Sequence, residues 1–402
     1  MTDASDAPAA LSGLVVLDLT RILAGPTATQ LLGDFGATVL KVENPKTGGD
    51  DTRIWGPNYA RDVHGQNTDL SAYFMAANRN KRSLSIDIST AEGQRVVQQL
   101  AARADVVIEN YKPGGLEKYG LDHKTLCAAH PELVYCSISG FGQTGPNRDK
   151  PGYDLMAQGY GGIMSLTGDP DGPPVKVGVG IADVMCGMYA TIGILTALRH
   201  RDATGEGQHI DLSLVDAQMA WLINEGTNYL TSGQLPRRRG NAHPNIVPYE
   251  AFVCSDGHVL IAVGNDAQFA RFCDALSLPE LATDARFTTN LARLENREVL
   301  IPLISAPLAT KSKSEVIAML QAVHVPVGPI NTVAEALASD QAASRGAVVS
   351  VPASGIESGA VELLANPLKL SRTPVQYRRA PPRFGQDTEE VLAELGIKPP
   401  KN

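Results

Sequence analysis

The chain reads as an α/β protein: a large domain on a doubly wound, mostly parallel, Rossmann-like sheet, followed by a smaller α+β domain. Three observations predict this. Short apolar runs rich in Val, Leu and Ile recur along the first 140 residues, as strands buried on both faces do. Segments with apolar residues at helical spacing separate them, so strands are joined by crossovers rather than hairpins. Each strand closes on a polar or Gly-rich turn, and sheets of this kind bind ligands beyond the carboxyl ends of their strands.

Residues 1–10 are polar and acidic and read as a frayed tail, with the features of neither a signal nor a transit peptide. Leu14-Val-Val-Leu-Asp18 is a strand. A helix runs from about Pro26, which suits a first helical turn, to Phe35. Ala37-Thr-Val-Leu-Lys-Val-Glu43 is the next strand. This βαβ opening lacks GxGxxG, which weakens the case for a dinucleotide site. Residues 44–77 form a long polar segment, and loops of that length commonly hold ligands. A strand over Leu84–Ile88, a helix over 90–103 and strands over Val106–Asn110 and Leu133–Ser139 complete the pattern. Arg21, Arg79, Lys81, Arg82, Asn110, Lys112 and Lys118 fall at successive strand ends, and basic side chains recurring there suit a phosphate-bearing ligand.

A small-residue segment, Val177-Gly-Val-Gly-Ile-Ala-Asp183, then meets an apolar helix over about 184–199. That helix is apolar almost all round and is expected to be buried. Asp183 at its mouth has two readings. It is an N-cap, contributing about 1 kcal/mol, or a nucleophilic carboxylate of the kind that forms covalent acyl intermediates. Gly178 and Gly180 leave room for a ligand to approach the backbone there.

The large domain is assigned to 1–205. A linker over 206–239 holds a strand at His209–Leu214 and a helix over 215–232. The small domain covers 240–330, with a hairpin of Glu250–Cys254 and His258–Val263 followed by helices to about 322. Residues 331–402, with strands near 347–351 and 359–362, return as a linker to the large domain.

A length of 402 residues suits two domains. A formal charge of −8 and 5% aromatic residues argue against a nucleic-acid partner. The cysteines at 127, 136, 186, 254 and 273 show no metal-ligand spacing and read as reduced thiols of a cytoplasmic protein without a metal site. The apolar run 184–198 is short and broken by Gly and Thr, so no membrane span is expected.

Several segments together resemble the class III CoA-transferases, the family of formyl-CoA transferase. They are Leu17-Asp-Leu-Thr-Arg-Ile-Leu-Ala-Gly-Pro26, Lys41-Val-Glu43, Asn80-Lys-Arg-Ser83, Glu109-Asn-Tyr-Lys-Pro-Gly114, Gly140-Phe-Gly-Gln-Thr-Gly-Pro146, Gly152-Tyr-Asp154, Asp171-Gly-Pro-Pro174 and Gly180-Ile-Ala-Asp183. The resemblance covers nearly the whole chain. It implies that coenzyme A is a co-substrate, that no metal is needed, and that Asp183 is the nucleophile, passing through a mixed anhydride and an aspartyl-CoA thioester. It further implies an interlocked homodimer, with CoA contacts from Ala24, Ile86, Asp87, Ile88, Ser89, Asn110, Tyr111, Lys112, Lys118 and Tyr153.

Two departures bear on the substrate. Leu23 replaces a Gln of the formyl enzyme, and Asn44 replaces an Arg that contacts CoA. Gly240-Asn-Ala-His-Pro-Asn-Ile-Val-Pro248 also stands where that enzyme has a glycine run, so formate and oxalate are not expected. Gly48–Pro57 and Ala242–Tyr249 are most similar to the succinyl-CoA:glutarate branch. This implies a dicarboxylate acceptor, with His243 and one of Arg237, Arg238 and Arg239 as candidates for its distal carboxylate. The alternative is the family's α-methylacyl-CoA racemase branch, which has a His where this chain has Tyr153. A phenol, with a pKa of about 10, is a poor base at neutral pH.

Overall fold

A computed structural model describes residues 9–399. The expected tail falls largely outside them; within them, Ala9 is buried and the Leu11 N–H is bonded to the Phe35 carbonyl. The chain forms two compact units. The first runs to Ile163 and resumes over Lys176–Leu222 and from Asp340 onward; the second comprises Met164–Val175 and Ile223–Ser339.

The first unit holds a six-stranded sheet. Its strands are β1 (Val15–Asp18), β2 (Thr38–Glu43), β5 (Lys81–Ser85), β6 (Val106–Glu109), β7 (Val134–Ser139) and β8 (His209–Ser213). A small hairpin, β3 (Tyr59–Arg61) with β4 (Asn67–Ser71), lies inside the long polar segment. The sheet order is β5-β2-β1-β6-β7-β8, and every neighbouring pair is parallel.

Alternation along each strand feeds two apolar cores. Val16, Val39, Val106, Ile108 and Cys136 point into one, against α1 (Ala24–Asp34), α5 (Asp154–Tyr160), α6 (Ile181–Thr204) and α7 (Leu214–Ala220). Leu17, Leu40, Val107 and Tyr135 point into the other, against α3 (Ala91–Ala101) and α4 (His123–Ala129). A sheet with helices over both faces is the doubly wound arrangement read from the sequence. The remaining short helix of this region, α2, is Ala72–Met75. The chain runs outward through β2 and β5 on one side of β1 and through β6, β7 and β8 on the other. The gap beyond the carboxyl ends of β1 and β6 is therefore the topological switch point, where such sheets bind ligands.

The units are drawn differently from the expected segments. His209–Ser213 falls within the linker expected over 206–239, yet it pairs in register with β7 from Tyr135↔His209 to Ser139↔Ser213, so it belongs to the sheet. Asp340 onward is part of the first unit: the helix Thr388–Glu394 puts Val391 and Leu392 into the second of the two cores. The antiparallel pair β12 (Val348–Pro352) and β13 (Ala360–Leu364) lies near the positions expected for strands.

The second unit carries the expected hairpin, β9 (Tyr249–Cys254) with β10 (Gly257–Ala262), extended by β11 (Val327–Pro329). Phe252, Val259 and Ile261 pack on Phe269, Phe272, Leu300 and Ile304 from the helices that follow.

Helix α6 departs from the expectation twice. It starts at Ile181, so Asp183 sits inside the first turn and Gly180 is the cap residue. Nor is it buried all round. Ala182, Cys186, Ala190 and Ile194 enter the core, while Met188, Tyr189, Ile192 and Leu195 are exposed in the single chain. Among the described residues it is the helix long and apolar enough to cross a membrane, because two apolar faces flank one axis and its Gly and Thr do not break it. Gly187 lets it approach α1 closely: a Cβ there would lie 2.6 Å from the Ala24 carbonyl oxygen.

Candidate active site

The turns at the switch point enclose a cavity of about 560 Å³, a size that suits a small-molecule site. Arg21 and Ala24 line it from the segment after β1, Asn110 and Lys112 from that after β6, and Ser139 and Gly140 from the end of β7. Asp183 lines it from the first turn of α6.

Asp183 is nearly buried, with 8% of its surface exposed. Burial, and then the negative charge of Asp154, push its carboxyl up to about 7. Asp154, the first residue of α5, supplies the cap that Asp183 does not. Its Oδ1 accepts the Ala182 N–H at 2.8 Å and the Asp183 N–H at 3.4 Å, and its Oδ2 accepts from Gln158 Nε2 at 2.7 Å. Gln158 Oε1 in turn accepts the Val177 N–H at 2.8 Å, so α5 fixes both ends of the segment leading to Asp183. The strand end is brought to this helix through two glycines, where a Cβ on Gly140 would meet Gly152 Cα at 2.4 Å. A carboxyl with an ordinary pKa is a weak nucleophile. One held near 7 and desolvated is more basic, yet half ionised at neutral pH.

The opposite wall is a fixed corner. Asn110 accepts the Arg21 N–H at 2.9 Å and donates to the Arg21 carbonyl at 2.7 Å. The Asp50 carboxylate accepts the Ile22 N–H at 3.2 Å and pairs with the fully buried Lys41 ammonium at 2.9 Å. Beneath the β6 turn the buried Glu109 accepts the Tyr111 N–H at 2.7 Å, and burial pushes its carboxyl up to about 7.

Of the residues expected to contact CoA, Ala24, Asn110, Tyr111, Lys112, Lys118 and Tyr153 line this cavity together with Asp183. Ile86, Asp87, Ile88 and Ser89 do not. Ile86 is in the core, Ile88 packs against it, and Asp87 and Ser89 both hold Lys46, at 2.9 Å each. Arg79, Lys81 and Arg82, grouped by the sequence with the ligand-facing cations, hold the fold instead. Strand β5 begins at Lys81 rather than Leu84, so they fall at its amino end. There Arg79 grips Asp34, Lys81 meets Asp18, and Arg82 pairs with Glu394.

The remaining candidates lie in the second unit. His243 Nδ1 accepts the Asn245 N–H at 3.0 Å, which anchors its own loop. Arg238 donates to the carbonyls of Asp169 and Gly172, Arg239 pairs with Glu225, and Arg237 is exposed.

Sequence reasoning did not assign Lys150, Trp55 or Asp51 to the site, although all three line the cavity. Tyr73 was also missed. Its hydroxyl is pushed up by burial, then by the charges of Asp183 and Asp154, and its ring meets that of Trp55 edge-on at 5.2 Å. The spacing of Asp154 and Gln158 marks a helix start, but nothing local says which helix the carboxylate caps.

A family profile described as CoA-transferase family III matches residues 11–388. The chain is 47% identical to the succinate–glutarate CoA-transferase of Agrobacterium fabrum over 98% of each chain. It is 40% identical to the mouse succinyl-CoA:glutarate CoA-transferase, over 96% of this chain and 86% of that one. Among solved structures, the crystal structure of a CaiB/BaiF family protein from Brucella suis superposes with a TM-score of 0.85 at 47% identity, covering 96% of this chain and all of that one. With this match across the sheet, the switch-point cavity and the helix that carries Asp183, the chain belongs to CoA-transferase family III.

Proposed function

We propose that this enzyme moves CoA from succinyl-CoA to a dicarboxylic acid of the glutarate type, with Asp183 as the covalent relay. The observation that carries the reading is a desolvated carboxyl, held near 7, at the start of α6 and in a cavity that also presents lysines. The names of the relatives support the choice of substrates.

The ionised Asp183 attacks the thioester carbonyl, the C–S bond breaks, and CoA leaves as thiolate with a mixed anhydride on the enzyme. The thiolate then attacks the aspartyl carbonyl, releasing the donor acid and leaving an aspartyl-CoA thioester. The acceptor carboxylate repeats these two steps in reverse order, ending as its CoA thioester with Asp183 free. Holding the Asp183 anion near 7 instead of 3.8 raises its free energy by roughly 4 kcal/mol. Acylation removes that charge and so relieves both its desolvation and its repulsion from Asp154. The α6 dipole stabilises the negative charge that develops between the two states. Lys112, Lys118 and Lys150 suit the CoA phosphates. The epimerase alternative is disfavoured because Tyr153 stands where that branch has its His base, and a phenol with a pKa of about 10 is a poor base at neutral pH.

The active form in this reading is a cytoplasmic, interlocked homodimer. The exposed apolar row Met188, Tyr189, Ile192 and Leu195 on α6 supports burial against a second chain. Light scattering that gives a monomer mass at working concentration would remove that part. The chemistry is tested by treating the enzyme with succinyl-CoA, quenching with hydroxylamine and sequencing the peptide that contains Asp183. The expected result is a hydroxamate at Asp183, lost in Asp183→Asn. Transfer to glutarate without any label at this residue would overturn the mechanism.

A further inference from the structure

Arg21 stands at a corner that the fold has made rigid. The Asn110 side chain holds both its backbone N–H and its carbonyl. The next residue, Ile22, has φ of 73°, a left-handed conformation that β-branched residues rarely adopt unless their surroundings enforce it. Asp50 enforces it by accepting the Ile22 N–H, and the buried Lys41 fixes Asp50 in turn. The guanidinium at the end of this scaffold is held far more lightly. It is 48% exposed and meets one oxygen of Asp51, Nη1 to Oδ2, at 2.8 Å; Asp51 is itself 40% exposed. Water competes for both partners of an ion pair this open, so a ligand offering a second contact displaces it.

We infer that Arg21 binds the distal carboxylate of a dicarboxylic acyl group, exchanging its single contact with Asp51 for a two-point contact with the substrate. The inference rests on the dicarboxylate reading above and assigns the residue that produces it. Arg21 and Asp183 line the same cavity. Leu23 touches the cap of α6, its Cδ2 lying 3.1 Å from where a Gly180 Cβ would stand. Residues 21 and 23 are at most about 7 Å apart along the chain. The guanidinium and the nucleophile thus open on one cavity, and the backbone that carries Arg21 is tied through Leu23 to the helix start that carries Asp183.

Its planar fork matches a carboxylate with two parallel N–H donors, whereas the lysines of the cavity are point charges on flexible stems. Of Arg237, Arg238 and Arg239, the arginines favoured by sequence, Arg238 and Arg239 are already engaged by carbonyls and by Glu225 within the second unit, and Arg237 is exposed. A CoA phosphate would offer Arg21 the same anionic chemistry, so the test separates the two sources.

Transfer is measured with succinyl-CoA and glutarate and with butyryl-CoA and pentanoate, alongside the Kd for free CoA. Arg21→Met is expected to lower kcat/KM for the dicarboxylic pair by roughly 10- to 100-fold, while the Kd for CoA and any monocarboxylic transfer stay at the wild-type level. Arg21→Lys, which keeps the charge but loses the fork, recovers only part. A parallel loss of CoA affinity would assign Arg21 to a phosphate and overturn the inference, as would unchanged kcat/KM for the dicarboxylic pair. A wild-type enzyme that ignores the dicarboxylic pair would instead sink the substrate reading before any variant is made. Unfolding midpoints of the variants, matched to wild type, show that the fold has survived the change.

Discussion

Asp154 Oδ1 accepts the Ala182 N–H at 2.8 Å and reaches the Asp183 N–H at 3.4 Å, so one carboxylate both caps the helix and presses its charge on the nucleophile. The two roles can be separated. In Asp154→Asn the amide oxygen keeps the cap, while the charge and the bond from Gln158 Nε2 are lost. Asp183 then ionises at lower pH, and the acid limb of kcat/KM moves below the value near 7 set in the wild type. Asp154→Ala loses the cap as well, at a cost of about 1 kcal/mol of stability. Glu109 also titrates near 7 beneath Tyr111, and its contribution is subtracted by repeating the profile in Glu109→Gln. An acid limb that stays put in the Asn variant would show that Asp154 does not tune Asp183.

Removing the nucleophile should stabilise the protein, but only where it is ionised. The Asp183 carboxyl has a folded pKa of about 7 against an ordinary 3.8, so the folded state holds the proton more tightly. Its contribution is fully present below 3.8, is lost as pH rises towards 7, and leaves the whole deficit above that. Asp183→Asn therefore abolishes transfer and unfolds at higher urea than wild type at pH 8, by on the order of 2–4 kcal/mol. The difference shrinks towards zero at pH 4. Equal midpoints at both pH values would mean that the carboxylate is solvated in the folded state.

Much of the first unit was legible because its strands carry a signal that survives without context. Val15–Asp18 and Val106–Glu109 are continuous apolar runs between punctuating turns, and continuous runs of that kind belong to sheets covered on both faces. Asp183 and the β6 turn could be placed for the same reason: they sit at element ends. What stayed hidden depends on pairings between distant segments. Lys81 belongs to β5 because it pairs with Val39, and only that pairing shows that Arg79 and Arg82 face away from the ligand end. The α6 cap comes from Asp154, 28 residues before Ala182, and the Arg21 corner from Asn110, 89 residues on. Helix α6 misled in another way. Composition records that a face is apolar, not whether the same chain covers it.

The Lys41–Asp50 pair lies wholly inside the first unit, with both side chains 0% exposed. Burial alone would lower the Lys41 pKa and raise that of Asp50, yet each is shifted the other way by its partner, so both are charged. Lys41→Met leaves a buried carboxylate unmatched and is expected to cost about 3–5 kcal/mol in denaturant unfolding. Adding Asp50→Asn should return most of that, because the amide oxygen, in the place of Oδ1, still accepts the Ile22 and Thr52 N–H groups. A double variant no more stable than Lys41→Met alone would mean that packing around the lysine stem, rather than charge, is what the substitution removes.

Gly140 and Gly152 meet backbone to backbone, and neither has room for a side chain. A Cβ on Gly152 would lie 2.1 Å from Gly140 Cα, and neither atom belongs to a flexible group that can swing away. In Gly152→Ala the turn after β7 must separate from the segment that enters α5, carrying Tyr153 and Asp154 with it. Displacements of about 1 Å in such positioning groups reduce turnover on the order of 100-fold. Loss of the contact should also lower the thermal midpoint. Gly178→Ala is the control, since a Cβ there meets nothing within 4 Å and should leave stability unchanged. If Gly152→Ala kept wild-type turnover and midpoint, the close approach of these two backbones would not be what sets Asp154 against the start of α6.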